Sequence, residues 1–215
     1  MSTAKVDVLR RQVRVVMLLG AAEDAGLVPL NILRLHGFAY LSNVLAPVWD
    51  MPVLNGKVLK RRGGPFYPDL QQDLDRLVGQ GVVVISGVGH VQDEARRWRL
   101  EGAYRLNRKF ADPILGALGD FPEERQLGSF IAELGYALSA LSDVELDRAM
   151  SEDATYSDPM ITIDNVIDFA DWRDRNYSAN AADKFDRVIQ GGNATPGEKL
   201  HLYVRHLHRR INGER

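Results

Sequence analysis

Gly63-Gly64-Pro65-Phe66-Tyr67-Pro68 opens the stretch that decides the fold, and the stretch runs on to Arg99. Pro68 sits where a first-turn proline starts a helix. Leu70, Leu74, Leu77 and Val78 follow at spacings of four, three and one, which places them on one helical face. Gly79-Gln80-Gly81 stops that helix. Val82-Val83-Val84-Ile85 is β-branched throughout and reads as a buried strand. Residues 87–94 form a loop. Arg97-Trp98-Arg99-Leu100 alternates polar with apolar, the period of a half-buried strand, with Tyr104-Arg105-Leu106 as its extension.

Upstream, Val6, Leu9, Val13, Val16 and Met17 recur at three and four, so a helix is expected from about Val6 to Ala25, stopped by Gly26. Pro29 then starts a second helix, reaching about Val44. Leu30, Leu33, Leu35, Phe38, Ala39 and Leu41 make it apolar nearly all round, as a central buried helix would be. His36 lies within that run, either as a buried histidine bonded to backbone or as a functional group. Pro47 to Arg62 reads as irregular, with a short strand at Val58-Leu59-Lys60.

Helix, helix, helix, strand, loop, strand is a winged-helix order. The expected fold is therefore mainly α: a winged-helix domain of three helices and a two-stranded wing over residues 1–108, then an α-helical, acidic region over 109–215. In winged helices that read DNA the third helix enters the major groove. Here that helix carries Asp69, Asp73 and Asp75 against Arg76 alone, and carboxylates facing phosphates are repelled. A protein-docking role suits it better, with Phe66, Tyr67, Asp69 and Asp73 as partner-binding candidates. Basic residues flank the helix instead. Lys57, Lys60, Arg61 and Arg62 precede it, and Arg96, Arg97 and Arg99 follow it. These are either solvated loop residues or contacts to phosphate or to an acidic protein face.

Charge divides along the chain in the same way. Residues 1–110 hold 16 Lys and Arg against 10 Asp and Glu; residues 111–215 hold 11 against 19, for a total of -2. A basic half joined to an acidic half suggests two functional surfaces, or two halves that pack together. There is no cysteine, which excludes disulfides, thiolate zinc sites and cysteine nucleophiles. No apolar run approaches the roughly 20 residues a membrane span needs, and the start lacks a signal-peptide core, so a cytoplasmic location is expected.

The second half reads as helices. Phe110, Ile114, Leu115 and Leu118 mark a short one. A longer helix spans Glu123 to Leu141. A third is capped by Ser142 and ends near Tyr156. Ser157-Asp158-Pro159 is a turn, and Ile161, Ile163, Val166, Ile167 and Phe169 lead toward Trp172. If that segment is helical, Asp164, Asp168 and Asp171 share a face. A divalent-metal nuclease site is not expected there, because such metals need carboxylates converging from several elements. A short helix covers Ala181 to Ile189, and Gly191-Gly192-Asn193 breaks it. Thr195 and Glu198 form a capping box for a last helix with Leu200, Val204, Leu207 and Ile211 on its stripe. His201, His206 and His208 do not share a face, so no zinc site is expected. No P-loop, nucleophile elbow, zinc-binding helix motif or Rossmann fingerprint is present. No cofactor, no metal and no catalytic residue are expected.

Residues 30–85 resemble a known pattern. It comprises Leu30-Asn31-Ile32-Leu33 through Phe38-Ala39-Tyr40-Leu41, a basic strand, Gly64-Pro65-Phe66-Tyr67-Pro68-Asp69-Leu70, and Val78-Gly79-Gln80-Gly81-Val82-Val83. This is similar to the winged-helix core of the middle component of bacterial ABC three-component (Lamassu-type) anti-phage systems. It is also similar to that of the related Panacea, or SocA-like, antitoxin domain. The Leu33–Tyr40 helix lacks the lysine-rich start usual in Panacea, and the long acidic half suits an assembly subunit. The resemblance to the middle component implies a non-enzymatic bridging subunit that links an SMC/Rad50-like ATPase to an effector, often a nuclease, with possible non-specific DNA contact. The alternatives are an antitoxin of a toxin–antitoxin pair and a DNA-binding regulator.

Overall fold

The computed structural model describes residues 3–54, 57–92, 96, 98–169, 176–187 and 194–213. Among them are eight helices, α1 (Thr3–Asp24), α2 (Ile32–Val44), α3 (Pro68–Gly79), α4 (Arg108–Leu118), α5 (Pro122–Leu138), α6 (Asp143–Glu152), α7 (Tyr177–Asp183) and α8 (Pro196–Ile211). Six strands accompany them: β1 (Leu30–Asn31), β2 (Lys57–Arg61), β3 (Gly64–Phe66), β4 (Val83–Gln92), β5 (Trp98–Leu106) and β6 (Val166–Asp168). They form two three-stranded antiparallel sheets, in the orders β1-β5-β4 and β3-β2-β6.

The expectation of a mainly α fold with a winged-helix amino-terminal domain is overturned. The architecture is mixed α and β, and the second sheet is the reason. β2 is the short strand expected at Val58-Leu59-Lys60, and β3 lies in the Gly-Pro-aromatic stretch just before Pro68, where no strand was expected. Its third, β6, comes from the half expected to be helical. Arg62 and Gly63 turn β2 back into β3, and Gly64, paired with Arg61, has φ 126, a region that only glycine enters readily. Pro65 is tolerated because β3 is an edge strand.

The chain folds as two compact units, each assembled from two stretches: residues 1–35 with 68–132, and 36–67 with 133–215. The expected break at 108/109 falls within the first unit.

In the first unit α1 packs on α3, β5 and α4. Val83, Tyr104 and Leu106 of the ribbon are buried, as are Leu70, Leu74 and Leu77 of α3. The glycine stops sit where the sequence puts them. Gly26 and Gly81 have φ of 74, and the amides of Leu27 and Val82 reach back to Ala22 and Leu77. Helix α2 begins later than Pro29 suggests. A two-residue strand intervenes, and Asn31 caps the helix by accepting from the Arg34 amide at 2.9 Å. β4 carries a bulge between Ser86 and Gly89, with Gly87 at φ 60. Gly102 faces Ile85 so closely that any Cβ there would lie 2.7 Å from Ile85 Cδ1.

In the second unit α6 and α7 pack on α8. The expected capping box of Thr195 with Glu198 forms, and Ser142, expected as a cap, forms a capping box with Glu145 as well. Val58 of β2 pairs with Ile167 of β6, and both are buried, each contributing roughly 1.5–3 kcal/mol through burial. The core centres on Tyr40, Tyr156, Phe169 and Tyr203.

Candidate interaction surface

Alternation along β2 sorts its side chains. Val58 and Lys60 lie on the face turned to the core of the second unit. Leu59 and Arg61 lie on the other. Leu59 stands opposite both Phe66 of β3 and Val166 of β6, so a row of three apolar side chains crosses the sheet. The Arg61 guanidinium lies over the Phe66 ring at 4.1 Å. Lys57 pairs with Asp168 at 3.4 Å, closing the far end of the row.

Lys60 fixes the loop that precedes β6. Its ammonium donates to the carbonyls of Tyr156, Asp158 and Ile161, the last at 2.8 Å. It also lies 5.1 Å from the centre of the Tyr156 ring. Burial lowers the Lys60 pKa, and the nearby Asp158 carboxylate partly offsets this. The Tyr156 hydroxyl donates to the Arg61 carbonyl at 2.6 Å, and burial pushes its pKa up to about 12. The Asp158 carboxylate accepts from the Met160 amide at 2.8 Å. Asp164 adopts φ 67, a left-handed conformation that aspartate tolerates. Backbone bonds from the Lys60 amide to Asn165 and from the Asp164 amide to Lys60 continue the strand pairing into the loop. Ile161 is buried beneath it, while Met160, Ile163 and Val166 are 82%, 45% and 52% exposed.

The loop starts from a closed polar centre. Asp153, fully buried at the end of α6, accepts hydrogen bonds from the hydroxyls of Tyr40 and Tyr203, both at 2.7 Å, and of Ser178 at 2.8 Å. It also accepts from the amides of Thr155 and Tyr156. Burial, followed by the Asp153 charge, raises the pKa of both tyrosines. Thr155 and Ser178 are bonded to each other. All of these side chains are buried, so the cluster holds elements together and presents no group to a ligand. His36 is the backbone-bonded, buried histidine: its Nδ1 accepts from the Tyr67 amide at 3.1 Å.

The candidate residues fall into different settings. Phe66 belongs to the surface row, and Tyr67 is 2% exposed. Asp69 is exposed at the start of α3, but Asp73 is fully buried between Arg11 at 2.8 Å and Arg76 at 3.0 Å. Phe66 and Tyr67 lie in the second unit, and Asp69 and Asp73 in the first. The basic candidates divide likewise. Lys57, Lys60 and Arg61 have the intramolecular partners given above, while Arg62 is exposed at the β2–β3 turn. Arg96, at φ 59, accepts at its carbonyl from the Gln92 side chain. Arg97 lies outside the described residues, and Arg99 is placed only as a β5 residue opposite Val91.

The acidic trio is corrected as well. Residues 166–168 are a strand, so the helical spacing does not apply. Asp168 pairs with Lys57, and Asp171, with Trp172, lies outside the described residues. Sequence reasoning missed Met160 as a surface residue, and it missed the Asp153 centre altogether. A signal for the first existed in Ile161-Thr162-Ile163, an apolar alternation right after Asp158-Pro159.

Among the described residues no helix is long and apolar enough to cross a membrane, and no group of three or more His, Asp or Glu side chains is placed to hold a metal ion. No protein-family model matches the chain, and no curated protein matches it.

Proposed function

We propose that this chain is a non-enzymatic docking subunit of a bacterial defence complex, linking an SMC/Rad50-like ABC ATPase to an effector, often a nuclease. One observation carries the docking part. Met160 and Ile163 are large apolar side chains displayed on a loop that Lys60, Tyr156 and Asp158 fasten, and exposed Val166 follows at the start of β6. Covering exposed apolar surface drives association. A loop ordered beforehand loses little conformational entropy when a partner binds. Val166 also stands in the Leu59–Phe66–Val166 row that crosses the sheet.

The identity of the partners rests on the resemblance of residues 30–85 to the middle component. DNA contact is left out of the proposal, because Lys57, Lys60 and Arg61 are each engaged within the second unit. The test is purification of the tagged chain expressed from its native operon, followed by mass spectrometry. Recovery of a coiled-coil ATPase together with an effector is expected. Recovery of neither sinks the proposal.

A further inference from the structure

β4 is the outer strand of its sheet, and no strand among the described residues pairs with its far edge. Its ten residues, VVISGVGHVQ, contain no Asp, Glu, Lys, Arg or Pro. Charged residues and prolines are the usual means of blunting an edge. A bulge is another, and the one at Ser86–Gly89 disrupts only the near part, leaving Gly89 to Gln92 in regular pairing with Trp98 to Glu101. β1 reaches only Ala103 and Tyr104, so this outer ribbon is two strands wide. Such a ribbon is marginal in water on its own. Its side chains are nonetheless open to solvent, with Trp98 at 69%, Val88 at 54% and Val91 at 37%. Trp98 follows the same alternation on β5 as the buried Tyr104 and Leu106, so the core-facing side of the ribbon continues past the core into solvent.

We propose that β4 pairs antiparallel with β4 of a second copy of this chain, giving a six-stranded sheet in the order β1-β5-β4-β4-β5-β1. The charge pattern selects this occupant. An edge without a formal charge gives a charged partner strand nothing to pair with, and it sets no like charges against its own copy. A two-fold axis at His90 places Val91 opposite Gly89 of the second copy, where there is room for it. β4 belongs to the first unit and the Met160 loop to the second, and the two proposals rest on different residues, so failure of either leaves the other standing.

The test is light scattering on the full chain across a concentration series, beside cross-linking. The wild type is expected to form a dimer. His90→Lys combined with Val91→Lys sets like charges at the axis and is expected to weaken the dimer by about tenfold or more, with an unchanged circular dichroism spectrum. The chain has no cysteine, so His90→Cys supplies a single thiol. A short bis-maleimide should join two such chains, while Ser129→Cys, exposed on α5, should not be joined. A monomer at every concentration overturns the proposal. So does a dimer that resists the lysines, or one that the linker does not join through position 90.

Discussion

The Lys60 ammonium lies 2.8 Å from the Ile161 carbonyl oxygen, about a hundred residues away in sequence, and this bond fastens the 158–165 loop to β2. The cation that sequence offers for phosphate is occupied by backbone.

Removing that cation should loosen the loop. Lys60→Met keeps the aliphatic stem but leaves three carbonyls without their donor. A charge-assisted bond is worth roughly 1.5–3 kcal/mol, so a loss of about 1–3 kcal/mol is expected in urea unfolding, allowing for water that reaches the part-exposed site. Arg62→Met, two residues on and exposed, should change stability by less than about 0.5 kcal/mol.

Asp153 anchors the second unit. Asp153→Ala leaves buried hydroxyl and amide donors without an acceptor, at about 1–3 kcal/mol for each group left unsatisfied. Chemical denaturation should show a loss of about 3 kcal/mol or more. Asp153→Asn should cost less, because a carbonyl oxygen remains and tyrosine hydroxyls can rotate to accept from the amide. An alanine variant as stable as wild type would mean the cluster is not what holds these elements.

In the first unit, Asp73→Asn removes the carboxylate shared by Arg11 and Arg76. Breaking a fully buried pair costs about 3–5 kcal/mol; with both arginines part-exposed, about 2–3 kcal/mol is expected, read from the thermal midpoint. A partner that contacts Asp69 would not reach Asp73.

Acid should weaken the junction of α6 and α8. The Glu145 pKa is lowered to about 2, first by the Asn212 side chain, then by the Ser142 amide and hydroxyl, with a smaller contribution from His208. A folded-state pKa below the unfolded one stabilises the fold above the unfolded value, and the benefit is lost as pH falls toward the folded one. Stability should therefore decline between about pH 5 and pH 2, and Glu145→Gln should flatten that decline. Parallel acid titrations of the two proteins, followed by circular dichroism, make the comparison.

Legibility in the sequence follows the range of the interactions. Local signals read correctly: the 3.6-residue stripe of α3, the glycine stops at 26 and 81, the cap at Ser142 and the capping box at Thr195 each depend on a few neighbouring residues. β2 was legible as a short strand at Val58-Leu59-Lys60, but β3 and β6 escaped, because each is three residues long and is a strand only through β2. Val58 meets Ile167 across more than a hundred residues, and no local period announces that pairing. The same holds for Asp153, whose five donors come from Tyr40, Thr155, Tyr156, Ser178 and Tyr203. Tyr67 and Asp73 were not legible as interior groups, since tyrosine and aspartate carry no mark of burial until their partners are known.

The docking account is tested most directly by Met160→Asp combined with Ile163→Asp in the tagged chain, co-expressed with its operon neighbours. Both side chains are exposed, so unfolding stability should stay within about 0.5 kcal/mol of wild type. The account predicts that the folded variant no longer recovers the ATPase and effector that the wild type recovers. Full recovery of both by the folded variant would contradict it.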